Sequence, residues 1–308
     1  MNARRSWALG LCVWMLAAAA QAADAYKPFV LAYKGSGEIT ATVETVTTKL
    51  TQAGFEVVGS YSPYATATIL AVTSDELKQE AAKSKFGGYA AAQRVAITKV
   101  SDELQVAYTN PIYMAHAYRM EGDLKAVADK LAGALGRETE YGPEKAMNAK
   151  QLRKYHYMFG MEYFDEPSLL AEHDSYEAAV QAVESKLTEG VSGVSKVYRI
   201  DVPGKQETVF GVALRGNNTD KGKYQDDKFI MSEIDFKPVR STAHLPYEML
   251  VSGNKVYALY ARFRIAINFP DLSMMGKNSF MNIMESPAAI ERALTLAAGG
   301  EVKKNSWQ

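Results

Sequence analysis

Two arginines, Arg262 and Arg264, stand two residues apart in a stretch that is otherwise apolar or aromatic. A guanidinium is planar and permanently charged, and its fork of N–H donors matches the oxygens of a carboxylate or phosphate. Across residues 256–268, Tyr257, Leu259, Ala261, Phe263, Ile265 and Ile267 alternate with Tyr260, Arg262, Arg264 and Asn268. A period of two predicts a strand with its apolar row against helices and both arginines side by side on the uncovered face. His244, expected on a neighbouring strand, joins them if the register allows. His244, Tyr260, Arg262 and Arg264 are thus a candidate site for an acidic small molecule. The plainer alternative is a solvated face, or one paired to acidic residues elsewhere in the chain.

A second constellation is Met114-Ala115-His116-Ala117-Tyr118-Arg119-Met120. If extended, it puts Met114, His116, Tyr118 and Met120 on one side, and thioether plus imidazole suits Cu(I). Met114, His116 and Met120 are therefore the candidate metal ligands, and copper is the one cofactor the residue types suggest. If helical, Met114 and Tyr118 stack while Met120 turns away, and the methionines become adaptable core filling. Met274, Met275, Met281 and Met284 form another Met-rich stretch, expected to repack an irregular core, with a soft-metal or apolar binding surface as the alternative. Signatures of nucleophile elbows, phosphate loops, dinucleotide folds, zinc proteases and haem attachment are absent from the sequence. Glu162, Asp165 and Glu166 lie near His173, where acidic residues before a helix act as caps and dipole partners.

The elements that must position these residues read as one plan written twice. A short apolar run from Phe29 to Tyr33 precedes a helical stripe of Ile39, Val43, Val46 and Leu50, stopped by Gly54. The second half repeats this with residues 168–172, then Asp174 as helix cap and Tyr176, Val180, Val183 and Leu187 as stripe, closed by Gly190. Residues 93–100 and 104–109 read as a hairpin, as do 245–251 and 256–268. Asn110-Pro111 and Asn268-Phe269-Pro270 punctuate the two copies. Closing helices carry Leu124, Val127, Leu131 and Leu135 in one, and Ile290, Ala293, Leu294 and Ala297 in the other, with Ser286-Pro287 and Gly299-Gly300 as its start and stop. The expected fold is α+β, two tandem two-layer units with antiparallel sheets and helices on one face. Residues 26–140 form the first unit, 141–165 a linker with the aromatic run Tyr155-His156-Tyr157-Met158-Phe159, and 166–308 the second unit. The density of that run predicts a segment buried between the units.

His244-Leu245-Pro246-Tyr247-Glu248-Met249-Leu250-Val251, followed by Gly253 and by Val256-Tyr257, resembles the bacterial domain of unknown function 302. The first copy matches more loosely, through Arg94-Val95-Ala96-Ile97, Tyr108 and Asn110-Pro111. The resemblance implies a compact two-layer α+β unit, and no catalytic residue comes with it.

Arg4 and Arg5, an apolar stretch from Trp7 to Ala20, and small residues up to Ala25 have the pattern of a cleavable secretory leader over residues 1–25, cut after Ala22 or Ala25. A periplasmic or secreted location follows as the expectation. Cys12, the single cysteine, lies in that leader, so disulfides and thiolate chemistry are not expected in the mature chain. With 35 basic and 35 acidic residues there is no electrostatic footprint for nucleic acid, and no later stretch has transmembrane length without a charge. The sequence thus points to an exported, non-catalytic ligand-binding or accessory protein. A soft-metal binder and an unrecognised enzyme acting on an acidic small molecule are the alternatives.

Overall fold

A computed structural model describes residues 24–216 and 221–302. The expected leader falls almost wholly outside the described residues, as does Cys12. After the short strand β1 (Ala25–Tyr26), the first half runs β2 (Phe29–Gly35), α1 (Ile39–Gln52), β3 (Glu56–Tyr61), β4 (Ala67–Thr73), α2 (Asp75–Lys83), β5 (Gln93–Val100), β6 (Glu103–Thr109), α3 (Pro111–Ala117), α4 (Lys125–Leu135) and β7 (Thr139–Tyr141). Next come β8 (Met147–Asn148) and α5 (Ala149–Arg153). The second half runs β9 (Ser168–Glu172), α6 (Tyr176–Glu189), β10 (Val194–Asp201), β11 (Glu207–Leu214), α7 (Asp227–Ile234), β12 (Tyr247–Ser252), β13 (Lys255–Ala258), α8 (Ala261–Asn268) and α9 (Ser286–Ala297). One tight helical turn at Gly87–Ala90 precedes β5, and another at Thr242–His244 precedes β12.

The fold is α+β with antiparallel sheets. One sheet has the order β3-β4-β5-β6-β2-β7 and the other β10-β11-β12-β13-β9. Taken in chain order, the five strands of the second sheet occupy the same succession as the first five of the other, and β7 adds a sixth strand beside β2. Helices α1 and α4 cover one face of the first sheet, and α6 and α9 cover one face of the second. The stripes explain this: Val46 and Leu50 on α1, and Val183 and Leu187 on α6, are buried, each contributing roughly 1.5–3 kcal/mol relative to exposure.

The remaining sheet faces turn toward each other. Arg94 of β5 meets Glu248 of β12 across the gap, and each of the two large apolar clusters draws on both halves, one holding Val95 and Ile97 with Val209 and Leu250, the other Phe29, Ile69 and Ala96 with Phe210 and Met249. The 87–90 turn of the first half lies on β11 and β12, and the 242–244 turn of the second lies on β4, β5 and β6. Edge strands β3 and β10 approach so closely that a Cβ on Gly59 would sit 2.2 Å from the Val197 carbonyl oxygen. Only a residue without a side chain fits there. The segment expected as a linker is tied down, since β8 pairs with β1, Ala25 opposite Asn148.

Three local expectations are corrected. Residues 256–268 are not one strand: β13 ends at Ala258, opposite Ser168, where its neighbour β9 begins. Beyond that point β9 offers no partner and β12 pairs with β13 only through Leu250–Ser252, and the backbone satisfies its own N–H and C=O groups as α8. Seven of the eight α8 residues are buried, so the helical period was hidden in a continuous apolar run. Second, the two Asn-Pro punctuations are not equivalent. Asn110 opens α3, its side chain accepting from the Ile112 N–H at 3.2 Å, whereas Asn268 closes α8. Third, Ser175 rather than Asp174 caps α6, accepting from the Ala178 N–H at 3.1 Å.

Candidate functional site

The strand β5 is buried on both faces, and Arg94 near its start turns toward the second sheet. There Glu248 of β12 receives it, Arg94 Nη2 lying 2.9 Å from Glu248 Oε1. From α8, Arg264 Nε reaches the other carboxylate oxygen, also at 2.9 Å. All three side chains are 2 % exposed or less. Arg264 Nη2 also donates to the carbonyls of His244, at 2.8 Å, and Pro246. The Asn268 amide bonds His244 Nδ1 at 3.0 Å. Burial, then the two guanidinium charges, push the His244 pKa well below its ordinary value. Tyr118 lies beside both arginines, and burial raises its pKa while Arg264 and Arg94 oppose the rise.

The expected quartet of His244, Tyr260, Arg262 and Arg264 therefore divides. His244 and Arg264 meet in the buried centre. Arg262 lies elsewhere because helical residues two apart point to different sides. It grips Glu162 through Nε at 3.0 Å and Nη2, and its guanidinium lies 5.2 Å from the centre of the Tyr260 ring. Asp165 pairs with Arg119 and Glu166 accepts from the Tyr163 N–H at 3.1 Å, so these acidic residues hold the aromatic segment in place.

The expected copper ligands are also separated by helical geometry. Met114 and Met120 are in the apolar core, while His116 is half-buried beside the Tyr26 ring, 5.8 Å between centroids. Burial lowers the His116 pKa, with Arg153 adding to it. Met274, Met275, Met281 and Met284 are exposed rather than packed in the core. They follow α8 in an outer loop where Phe280 and Met281 bond back to Ser273 and Met274, and the Tyr157 hydroxyl donates to Met274 Sδ at 2.8 Å. Among the described residues, no three His, Cys, Asp or Glu side chains gather as metal ligands. Of the aromatic segment only Phe164 is buried, stacking on Tyr118 at 5.2 Å; Tyr155 is half-buried and donates to the Ala266 carbonyl, whereas Met158 and Phe159 are exposed.

A groove of about 670 Å³ opens where the two halves meet, with Tyr64 and Lys99 on one bank and Lys228, Asp235, Phe236 and Arg240 on the other. Its floor is a hydroxyl chain, Thr98 donating to Thr242 at 2.9 Å and Thr242 to Asp235 Oδ2 at 3.3 Å, with the Tyr64 hydroxyl 3.3 Å from Thr242. Asp235 also accepts from the Ser241 N–H at 2.7 Å. Burial pushes its pKa up to about 6 against these bonds and the nearby Arg240 charge. Three cations and one carboxylate whose charge is easily lost thus line the groove beside two aromatic rings; the Arg240 charge acts on Asp235, and Lys99 pairs with Glu38 at 3.1 Å.

Sequence reasoning passed over Arg94 and Glu248, although each is a charged residue inside an apolar strand run, a signal in itself. The groove left no such trace, since its banks lie more than a hundred residues apart in the chain. Fold and site together define an α+β protein of two facing antiparallel sheets with a cationic groove at their junction. No family model, curated protein or solved structure matches this chain.

Proposed function

We propose that this protein is an exported, non-catalytic binding protein that takes a small organic anion in the groove shared by its two halves. The observation that carries the reading is that Lys99, Lys228, Arg240 and Asp235 line one open groove of about 670 Å³, a size and a position between structural units suited to small ligands. The cations supply partners for a carboxylate or phosphate, and Tyr64 and Phe236 supply apolar surface for the remainder of the molecule. The N-terminal pattern of basic, apolar and small residues supports export. The shared strand order supports reading the chain as a duplicated unit, so that the junction is where a site common to both copies arises. The resemblance of residues 244–257 to the domain of unknown function 302 belongs to the same proposal.

Titration calorimetry of the full chain against a panel of small carboxylates and phosphate esters tests this. At least one should bind, and Lys99→Glu and Lys228→Glu, both outside the core, should each weaken it about tenfold or more, equivalent to about 1.4 kcal/mol. Binding should strengthen as pH falls through about 6, because Asp235 then loses its charge. Absence of millimolar binding across the panel, or affinity unchanged in both variants, overturns the reading.

A further inference from the structure

The buried centre between the sheets holds an imbalance that the groove does not explain. Arg94 and Arg264 bring two positive charges and Glu248 brings one negative charge, each side chain sealed from solvent. Both carboxylate oxygens are taken, one by each arginine. Neighbouring groups cannot supply the missing negative charge: Glu207 accepts from the Gly88 N–H at 2.7 Å and pairs with Lys205, and His244 is held neutral. Hydrogen bonding is incomplete as well. Arg94 Nε and Nη1, Arg264 Nη1 and the Tyr89 hydroxyl are buried donors without a hydrogen-bond partner among the described residues, the Tyr118 hydroxyl lies within reach of Arg94, and Asn268 Oδ1 and the two Glu248 oxygens, though the latter are ion-paired, are acceptors with room for another donor. The three guanidinium nitrogens can only donate, and each phenol can donate. A buried unpaired charge is strongly unfavourable, and so is each orphaned donor. What answers both at once is a proton-free acceptor with one negative charge.

We propose that this centre holds one small monovalent inorganic anion, of the size and chemistry of chloride, between Arg94, Arg264 and Tyr118. A water molecule would accept hydrogen bonds but leave the charge uncompensated. An organic anion would have to fit its carbon skeleton among side chains that are 2 % exposed or less, in a core as close-packed as a crystal. A monatomic anion needs only the donors already present. Because Arg94 comes from one half and Arg264 from the other, the anion is enclosed as the halves close on each other, and it acts as a structural component distinct from the ligand of the groove.

Urea unfolding of the full chain at fixed ionic strength, with sodium isethionate replaced stepwise by sodium bromide, provides the test. The folding equilibrium constant should rise in proportion to bromide once its concentration exceeds the dissociation constant, up to tenfold per tenfold increase. In Arg94→Met the remaining charges balance, so this dependence should vanish, while general salt effects on solubility and packing persist. If Arg94→Met does not fold, Tyr118→Phe should still show a weakened bromide dependence. Crystals grown in bromide should show one anomalous peak between Arg94 and Arg264. Superimposable unfolding curves in bromide and isethionate, equal bromide dependence in wild type and variant, or no anomalous peak at that place would overturn the proposal. None of these outcomes bears on organic-anion binding in the groove.

Discussion

Replacing Asp227 by Asn probes another buried carboxyl at the seam. Asp227 begins α7, and its Oδ2 accepts from the Tyr61 hydroxyl of the first half at 2.6 Å and from the Leu214 N–H at 2.8 Å. Burial pushes its pKa from the ordinary 3.8 up to about 7, against those two bonds and the Arg215 charge, with Asp226 adding to the rise. A folded-state pKa above the unfolded value means that the native protein binds the extra proton. The stability this contributes is complete below the unfolded pKa and is lost as pH rises through about 7. A shift of about three units corresponds to roughly 4 kcal/mol, of which roughly 2–3 kcal/mol disappears between about pH 5 and about pH 8. Asparagine cannot ionise, so the variant lacks that slope. Its amide puts a donor at the Oδ1 position, where the protonated carboxyl of the wild type also carries its proton without a partner, so the substitution is close to neutral at the acid end. Urea unfolding followed by circular dichroism at both pH values gives the comparison. The two proteins should be close in stability at about pH 5, and the variant should be the more stable by roughly 2–3 kcal/mol at about pH 8. Parallel pH dependence in the two proteins would refute the placement of a high-pKa carboxyl at this contact.

Glu248→Gln leaves two guanidinium groups without their carboxylate and should lower stability by about 3–5 kcal/mol, read as a reduced urea midpoint; a midpoint like that of wild type would count against the buried ion pairs. Gly59→Ala places a methyl 2.2 Å from the Val197 carbonyl oxygen and 2.9 Å from its carbon. Because the obstacle is backbone, the strands must part, at about 1–3 kcal/mol, and amide exchange along β3 and β10 should quicken relative to the rest of the sheets. Unchanged exchange there would show that the two edges are not in contact.

Much of the architecture was legible because it depends on local signals. Helices α1 and α6 and the closing helices α4 and α9 each present one apolar stripe, so their periods survive in the sequence, and strands β2 and β9 are legible as short apolar runs ahead of a helix. Helix α8 differs from the expected strand because burial on nearly every side erases the helical period, and the point where β13 stops coincides with the start of β9, some ninety residues earlier. Asp174 and Ser175 are adjacent residues with equal capping chemistry, and the choice between them is made by backbone angles. The candidate site was half legible. His244 and Arg264 do share a centre, but through a helix and a preceding turn rather than a common strand face. Arg94 and Glu248 were visible as pattern residues without their pairing, and the groove is built from residues brought together only by the docking of the halves.

The reciprocal turns at 87–90 and 242–244 bear on how the chain is made. Each half lays a piece of itself across the other's sheet, so the first half, synthesised earlier, must wait with a bare β-surface and an unneutralised Arg94 until residues 242–264 arrive. That interval is when such a chain is most open to sticking to its own copies.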